Sequence, residues 1–534
     1  MPRVNNHGMT RSTVLVIGAG IGGLAAAARL AHAGCTVRVL ERHSAPGGKM
    51  RTLPSEAGPV DAGPTVLTMR WVFEQLFESL GEKLSDHLIL HRQTMIARHF
   101  WPDGGSLDLF DDPDRNEAAI AEFAGPKAAR QFRAFSARAK SLFETFEKPV
   151  MTSERPSLFP LVGHVMTKPW LIPKMAPLST LAQILEKSFD DPRLRQLFGR
   201  YATYVGGSPY QSPGLLSLIW HAEERGVWVV EGGMHRVAQS IQALCEARGA
   251  EFTFDAHVSE ITVQNGKATG VLLEDGTHVT ADTVVFNGDP RALATGLLGN
   301  AASGVATQTR RLPRSLSAEV CAFAATPHGP ELAHHNVFFR ADPKPEFDAL
   351  ARGTLSPDPT VYLCAMDRGL PTPPPTLERF ETIANAPPVP DDASDDANKD
   401  ANPCPTRTVQ MLQSFGLTFT PTPSTMTTPA GFNALFPGTN GSLYGQSPHG
   451  MTAALSRPTA RTGVRGLYLV GGGAHPGAGV PMATLSAKHA AAAILSDQTS
   501  TSPSPQTAMR GGMSTGSPAT HATAAPVRSL SSGS

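Results

Sequence analysis

Two glycine-rich segments, one near each end of the 534-residue chain, carry the residues with the clearest chemistry. The first, Gly18-Ala19-Gly20-Ile21-Gly22-Gly23, directly follows the uncharged run Thr13-Val14-Leu15-Val16-Ile17. Glycines spaced in this way allow a tight turn, leave the backbone bare for a pyrophosphate and let the next helix pack closely. That helix presents free N–H groups and a favourable dipole to phosphates. The pattern predicts a dinucleotide site that uses Gly18, Gly20, Gly22 and Gly23, with a fortuitous apolar turn as the alternative.

An acidic residue follows at the distance that such a site requires. Residues 35–40 are predicted to form a second buried strand, which ends at Glu41, about 20 residues after the glycines. The carboxylate can accept hydrogen bonds from an adenosine ribose and would repel a 2′-phosphate, so NADP is disfavoured. The elements that must position these groups are therefore the two parallel strands and a helix over residues 24–33.

A second glycine pair lies just after the acid, in the run Gly47-Gly48-Lys49. A nicotinamide dehydrogenase would begin another helix here, so we predict a second phosphate contact for this run, with an ordinary solvated turn as the alternative. Further along, Gly63, Pro64 and Thr65 belong to a run of small residues that lets the backbone approach a flat ring.

These motifs resemble those of the FAD-dependent carotenoid desaturases of the bacterial phytoene desaturase type, within the wider amine-oxidase-like flavoproteins. The resemblance extends from residue 13 to about 497. It rests on VIGAGIGGLAAAARLAHAG, ERHSAPGGKM and DAGPTVLTMRWVFEQLF, and more specifically on the closing LYLVGGGAHPGAGVPM. Within that family, WHAEERGVW followed by EGGMH is most similar to the hydroxycarotenoid 3,4-desaturases, also called methoxyneurosporene dehydrogenases.

The resemblance implies an α/β fold, in which an FAD-binding, Rossmann-like domain of the amine-oxidase type carries an inserted α+β substrate domain. The closing segment would complete the flavin site, and Val258 would lie near the adenine. Many flavoproteins of the wider fold bind the ribityl chain with an acidic residue after the closing strand. This chain has glycines there, as the carotenoid branch does, so that contact would use backbone groups or water. The residues implied at the closing segment are Gly472, Gly473, Gly477, Pro481 and Met482.

The same motifs divide the chain into alternating parts. We expect FAD-binding parts at residues 13–70, 231–295 and 411–497. The substrate domain would take residues 71–230 and 296–410, with a solvated acidic loop at 385–406, and residues 498–534 would form a disordered tail. Both low-complexity segments are alternatively partner sites.

Local patterns predict several elements within these parts. Residues 71–90 and 112–148 are predicted to be helical, the second after capping aspartates at 111 and 112. Its phenylalanines 132, 135, 143 and 146 form an apolar stripe that is more typical of core than of a ligand wall. Asn265-Gly266 and Asp275-Gly276 predict hairpin turns.

Composition excludes several classes of protein. With 46 basic and 46 acidic residues, no charge imbalance points to nucleic acid. The five cysteines lack C-x-x-C or histidine spacing, so we expect neither a disulfide framework nor a zinc site, and a reducing cytosol is the simplest compartment. The first residues lack a signal-peptide pattern, and the only long apolar run, 13–34, is broken by glycines, so no membrane span is expected.

One stretch, residues 157–175, is unusually apolar, with a tryptophan beside lysines and several prolines. Such a surface suits the lipid headgroup boundary. We therefore expect a cytoplasmic protein bound peripherally to the inner face of the cell membrane, which would give access to an insoluble carotenoid. The alternative is a lid packed over the core, since prolines disfavour an interfacial helix.

The chemistry implied by the resemblance is removal of a hydride and a proton from neighbouring carbons, which creates a conjugated double bond. No side chain accepts hydride, so FAD would, and the protein would hold the polyene in a dry apolar tunnel. His475 is a weak candidate for a catalytic base; it could equally hydrogen-bond the flavin or cap a helix. The terminal electron acceptor, oxygen or a quinone, stays open.

Three function classes remain at this point. The first is desaturation at C3–C4 of an acyclic 1-hydroxy- or 1-methoxycarotenoid, with phytoene desaturation as a variant. Another is a different flavin oxidase or reductase of the same fold, such as an amine oxidase or a prenyl reductase. A third is a non-catalytic prenyl-binding escort, which would not need the closing glycine segment.

Overall fold

The computed structural model describes residues 12–154, 167, 171–391, 406–421, 426–450, 453 and 456–501. Its strands are β1 (Thr13–Ile17), β2 (Thr36–Leu40), β3 (Thr52–Leu53), β4 (Val60–Asp61), β5 (Leu90–Arg92), β6 (Met95–Phe100), β7 (Ser106–Phe110), β8 (Trp228–Val230), β9 (Glu251–Thr253), β10 (Val258–Gln264), β11 (Lys267–Leu273), β12 (His278–Thr280), β13 (Thr283–Phe286), β14 (Ser317–His328), β15 (His335–Phe338), β16 (Val361–Ala365), β17 (Glu378–Ala386), β18 (Thr418–Thr420), β19 (Met426–Thr427) and β20 (Leu467–Leu469). Its α-helices are α1 (Ile21–His32), α2 (Arg70–Glu78), α3 (Pro113–Ala124), α4 (Pro126–Phe146), α5 (Leu171–Met175), α6 (Leu181–Ser188), α7 (Pro192–Gly199), α8 (Leu218–Glu224), α9 (His235–Ala247), α10 (Pro290–Ala294), α11 (Lys344–Ala351), α12 (Thr406–Ser414), α13 (Pro429–Leu435) and α14 (Val480–Thr501).

A parallel sheet is assembled from three distant parts of the chain. Its five strands lie in the order β20-β13-β1-β2-β9, and every neighbouring pair is parallel. The central strands β1 and β13 are apolar and almost wholly buried, as strands covered on both faces must be. Helices α1, α9 and α14 share one hydrophobic core against this sheet. The carboxyl ends of β1, β13 and β20 therefore meet at one edge.

A second, mixed sheet forms the wall of the other half of the molecule. Its strands lie in the order β18-β14-β17-β16-β15-β6-β7, with β19 paired to β14. The β15–β6 pair is parallel and the remaining pairs are antiparallel. Helices α3, α4 and α6–α8 cover part of it through an aromatic core that includes Phe198 and Trp220. This α/β architecture, a Rossmann-like sheet with an α+β insertion, is the predicted fold class.

Two of the predicted helices differ in extent. The helix expected over residues 112–148 is divided into α3 and α4, because Gly125 takes a φ of +88° between them and Pro126 opens the second helix. The predicted cap is confirmed at Asp112, which accepts hydrogen bonds from the N–H groups of Asp114 and Arg115 at 2.9 and 3.1 Å. The helix expected over 71–90 ends at Glu78, after which Gly81 adopts a left-handed φ of +76°.

The structure also describes the predicted hairpin turns, the phenylalanine stripe of α4 and the cysteines. Both hairpin turns are confirmed, since β10 pairs with β11 and β11 pairs with β12. The stripe phenylalanines of α4 are buried in core clusters. Cys321 is disulfide-bonded, which the cysteine spacing did not predict, whereas Cys35, Cys245 and Cys364 are free thiols.

Parts of the remaining expectations lie outside the described residues. These parts are 392–405 of the acidic loop, 502–534 of the tail, and 157–166 with 168–170 of the apolar stretch. At the loop boundary, β17 includes Asn385 and Ala386 because they pair with β14, and at the tail boundary α14 includes residues 498–501. Among the described residues, no helix combines the length and hydropathy needed to cross a bilayer.

A buried carboxylate on β4 ties the two halves together. Asp61 is 5% exposed and accepts hydrogen bonds from the N–H groups of Met234, at 2.6 Å, and His235, at 3.4 Å, where α9 begins. Burial raises the pKa of Asp61 to about 6, despite these backbone donors. Its neighbour Glu381, which is also buried, has a pKa raised by burial and by the Asp61 charge.

The raised pKa of Asp61 gives a pH dependence of stability. Between about pH 4 and pH 6 the folded state binds the extra proton, so the free energy of unfolding falls as the pH rises through that window. We expect Asp61→Asn to remove up to about 3 kcal/mol of this fall. Denaturant unfolding at pH 4, 5 and 6 measures it, with the exposed Asp86→Asn as control. Equal slopes in wild type and Asp61→Asn would contradict the assignment.

Candidate functional site

The first and last glycine segments are in van der Waals contact. A Cβ atom added to Gly22 would lie 2.7 Å from both the Cα and the N of Gly471, closer than real Cβ contacts allow. The side chain of Asn287 lies between the two segments. Its Nδ2 donates to the Gly18 carbonyl at 3.1 Å, and its Oδ1 is 2.6 Å from the position of a Cβ on Gly471. The two segments can therefore meet because the residues at the contact are glycines, which have no side chains.

A single cavity of about 740 Å³ opens at this junction. Most of the residues predicted to hold the cofactor line it. Three do not: Gly23 packs against the Gly18 carbonyl, Gly477 lies beside Arg457, and Met482 packs in a core cluster with Phe143. Those that line the cavity are Gly18, Gly20, Gly22, Glu41, Gly47, Gly48, Lys49, Gly63, Pro64, Thr65, Val258, Gly472, Gly473 and Pro481.

The second glycine pair packs directly on the first segment. Gly47 donates its N–H to the Ala19 carbonyl at 2.9 Å and forms a parallel bridge with Gly20. Helix α1 begins at this point, and no side chain caps its first N–H groups. Backbone from both segments thus borders the same space, which fits the pyrophosphate of a dinucleotide.

Two charged side chains border this space. Glu41 is 4% exposed and accepts hydrogen bonds from the N–H groups of Ala19, at 2.6 Å, and His43, at 2.9 Å. Lys49 donates its ammonium to the carbonyl of Leu443. Burial lowers the pKa of Lys49 to about 8, opposed by the charge of Asp289. The ribose and phosphate contacts of Glu41 and Lys49 stay predictions.

The segment from Gly63 to Thr65 reaches the far wall of the cavity. A Cβ on Gly63 would lie 1.9 Å from the Lys49 carbonyl, so this close approach needs glycine. The Thr65 hydroxyl lies 2.7 Å from the Tyr362 hydroxyl, on strand β16 of the second sheet. The segment from Gly63 to Thr65 is therefore in direct contact with the second sheet.

Beyond the glycines the cavity wall becomes apolar. It is formed by one face of the second sheet and by the segment around α13. The side chains there offer no charge and suit a hydrocarbon chain. They include Leu316, Ala318, Val320, Ile383, Phe432 and Leu443.

The sequence reasoning did not identify three residues that fix the glycine segments. Asn287 packs against both segments, Ser486 accepts the N–H of Gly471 at 2.8 Å, and Arg457 donates to the Gly472 carbonyl at 2.7 Å. Asn287 has the clearest signal, because it directly follows β13 where that strand ends at the cofactor edge.

His475 lies outside the cavity lining and is used elsewhere. Its Nε2 lies 2.8 Å from the Ser153 carbonyl, and its ring stacks on His489 with centroids 5.7 Å apart. Burial lowers the pKa of His475 to about 4, so the ring is neutral at pH 7. These contacts favour a role in anchoring the segment near residue 153; a catalytic role stays a prediction.

The structure also brings together three buried side chains that the spacing of residues in the sequence did not predict to be neighbours. His334, His335 and Cys364 bring three potential ligand atoms within 4.8 Å of one another on adjacent strands. The His334 ring bonds the Arg368 carbonyl at 2.6 Å, and the His335 ring bonds the Tyr362 hydroxyl at 2.7 Å. The expectation that the protein binds no metal stays a prediction.

The glycine contact predicts the effect of one added methyl group. Gly22→Ala places a carbon against the Gly471 backbone, and overpacking of this kind costs about 1–3 kcal/mol. We expect purified Gly22→Ala to retain much less flavin, measured as the ratio of absorbance at the flavin band to that of the protein. Gly463→Ala is the matched control, since its Cβ would meet nothing within 4 Å. Equal flavin content in the two variants would contradict the contact.

Comparison with known proteins agrees with this geometry. Residues 21–318 match the family model described as flavin containing amine oxidoreductase. Hydroxyneurosporene desaturase of Cereibacter sphaeroides is 52% identical over 92% of this chain and 98% of its own length. The protein of the same name from Rhodobacter capsulatus is 48% identical, over 92% and 99%. Lycopene-forming phytoene desaturase of a Paracoccus species is 31% identical, over 92% and 99%.

A solved structure shows the same fold at low identity. Cyclohexylamine oxidase from Brevibacterium oxydans is 17% identical, with a TM-score of 0.53 over 92% of this chain and 100% of its own. The glycine segments, whose backbone at Gly18, Gly20, Gly22, Gly47 and Gly48 lines the cavity, fit the pyrophosphate of FAD. The chain belongs to the flavin-containing amine oxidoreductase family and, within it, to the FAD-dependent carotenoid desaturases.

Proposed function

We propose that the protein is an FAD-dependent desaturase that forms the C3–C4 double bond of an acyclic 1-hydroxy- or 1-methoxycarotenoid. The observation that carries the proposal is the single cavity in which the glycine cradle continues into an apolar wall. The choice of substrate is supported by the higher identity to hydroxyneurosporene desaturases, 52% and 48%, than to the phytoene desaturase, 31%.

The reaction removes a hydride and a proton from two adjacent carbons of the substrate. FAD, when bound, supplies the hydride acceptor that no side chain provides. The protein holds the polyene against the apolar face that includes Val320 and Ile383, and keeps water away from the positive charge that develops next to the conjugated chain. That charge spreads along the existing polyene, which favours abstraction next to it.

The proposal extends to the partners of the reaction. A forty-carbon polyene is insoluble in water, so the enzyme collects it at a membrane surface, on the cytoplasmic side. Residues 157–175, with a tryptophan between two lysines, have the composition of such a contact. The two electrons removed from the substrate would finally reach oxygen or a membrane quinone.

The substrate proposal is tested by supplying candidate carotenoids to the purified holoenzyme in vesicles. We expect 1-hydroxyneurosporene, and its methoxy analogue, to lose the mass of two hydrogens and to absorb at longer wavelength, because one double bond joins the chromophore. Chromatography with mass detection identifies the product. Phytoene is supplied in parallel, and conversion of phytoene alone would contradict the C3–C4 proposal.

The membrane proposal is tested by flotation with vesicles. We expect binding to anionic vesicles and weaker binding to zwitterionic ones, since each lysine near an anionic surface contributes about 1 kcal/mol. A double change, Lys168→Glu with Lys174→Glu, should reduce binding by roughly thirtyfold or more. The control changes the exposed Lys83 and Lys187 in the same way. Equal binding by both double variants would contradict a contact through residues 157–175.

A further inference from the structure

A polar cluster interrupts the apolar wall of the cavity. Arg200, Tyr204 and Glu223 all line it, the first two from a short 3-10 helix, Arg200–Val205, and the third from α8. The Tyr204 hydroxyl accepts a hydrogen bond from the Arg200 guanidinium at 3.3 Å and donates to Glu223 at 2.6 Å. Tyr201 also donates to Glu223 from the buried side. A cation, two phenols and a carboxylate therefore form one connected unit.

The guanidinium of Arg200 has donors to spare. Its Nε is buried and has no hydrogen-bond partner, although both tyrosine rings lie near the group, with centroids 5.1 and 5.7 Å away. Burial opposes the charge, but Tyr204 and Glu223 raise the pKa of Arg200, so the group stays a cation. Among the described residues Nη1 makes no hydrogen bond and, unlike Nε, is not closed off, so it leaves a charged donor for an oxygen that a ligand brings into the cavity.

Two polar groups of the cavity wall formed by the second sheet lack this property. Asn385 donates its amide to Glu346 at 3.0 Å, and the Thr360 N–H donates to the same carboxylate at 3.0 Å. Both residues line the cavity, but these hydrogen bonds are satisfied within the protein.

The cluster lines the same cavity and packs on the same aromatic core as the segment predicted to approach the flavin ring. Val66 and Tyr204 pack against the same aromatic core, and Tyr362, which bonds Thr65, packs there too. A desaturase acting at C3–C4 holds those carbons at the reacting position, and the oxygen on C1 is only a few bonds away. The group that recognises this oxygen must therefore line the same cavity as the cofactor segment, as Arg200 does.

We propose that Arg200 donates a hydrogen bond to the oxygen on C1 of the carotenoid, with Tyr204 and Glu223 as the residues that position its guanidinium. This inference rests on the proposed function and deepens it. A guanidinium only donates, and both a hydroxyl and a methoxyl oxygen accept, so the same site serves either end group. The polyene is long and nearly uniform, so the position of this oxygen determines which of its carbons lie at the reacting position.

The experiment compares two ligands that differ only in the C1 oxygen, 1-hydroxyneurosporene and 1,2-dihydroneurosporene. Dissociation constants are measured from the change in the flavin spectrum, and turnover by chromatography. In wild type we expect the hydroxylated ligand to bind about 10- to 100-fold more tightly, the range expected for a hydrogen bond to a charged group. In Arg200→Met, which keeps the apolar stem, the ratio should fall to near one, while Arg200→Lys restores part of it.

Controls separate this inference from folding and from the proposed function. Arg133→Met removes an exposed guanidinium that pairs with Glu117 and should leave the ratio unchanged. If Arg200→Met does not fold, judged by flavin content and melting temperature, Tyr204→Phe removes the acceptor that orients the guanidinium and should lower the ratio. If wild type converts no hydroxylated carotenoid, the proposed function fails. If wild type converts it but a folded variant keeps the binding ratio, the role of Arg200 is overturned.

Discussion

The site depends on a backbone contact between two glycine segments that are more than four hundred residues apart in the chain. A side chain on Gly22 would meet the Gly471 backbone, and one on Gly471 would meet Asn287, which donates a hydrogen bond to the Gly18 carbonyl. The contact brings the N-terminus of α1, the end of β13 and the start of α14 to one point. Every other part of the cavity is positioned relative to it.

Buried charges hold the loops around that contact. Asp289 and Arg314 form an ion pair next to Gly473, and Arg457 binds the carbonyls of Tyr444, Gln446 and Gly472. Burial lowers the pKa of Arg457 to about 10, but a guanidinium stays charged at any physiological pH. Glycine-rich loops have few side chains and therefore gain little stability from packing. The hydrogen bonds and the ion pair of these groups stabilise the loops instead.

The cofactor half of the molecule was predictable because its signals are local. A buried strand, spaced glycines and an acid fall within thirty residues at positions 13–41, and each has a physical reason that does not depend on the rest of the fold. The likeness to carotenoid desaturases added the closing segment and Val258. The division between α3 and α4 was also visible in principle, since Gly125 and Pro126 together interrupt a helix, but the long amphipathic pattern on either side masked it.

The substrate half was not predictable to the same degree. Arg200, Tyr204 and Glu223 come together across a turn and a helix, and a charged residue amid aromatic ones gives no sign of whether it faces solvent or a cavity. The wall of the second sheet draws on β14, β16 and β17, whose alternating side chains pack against core on one face and border the cavity on the other. Only the pairing of distant strands determines which face of each strand borders the cavity and which packs against the core.

The strand order has a consequence for biosynthesis. Strand β20 leaves the ribosome long after β1 and β13, yet it pairs with β13 and precedes the glycines that complete the site. Nascent polypeptide can fold the aromatic helical region early, whereas the parallel sheet must wait for its final member. A site that needs both glycine segments is complete only after β20 has paired, so any ligand bound there stabilises the sheet with its final strand in place.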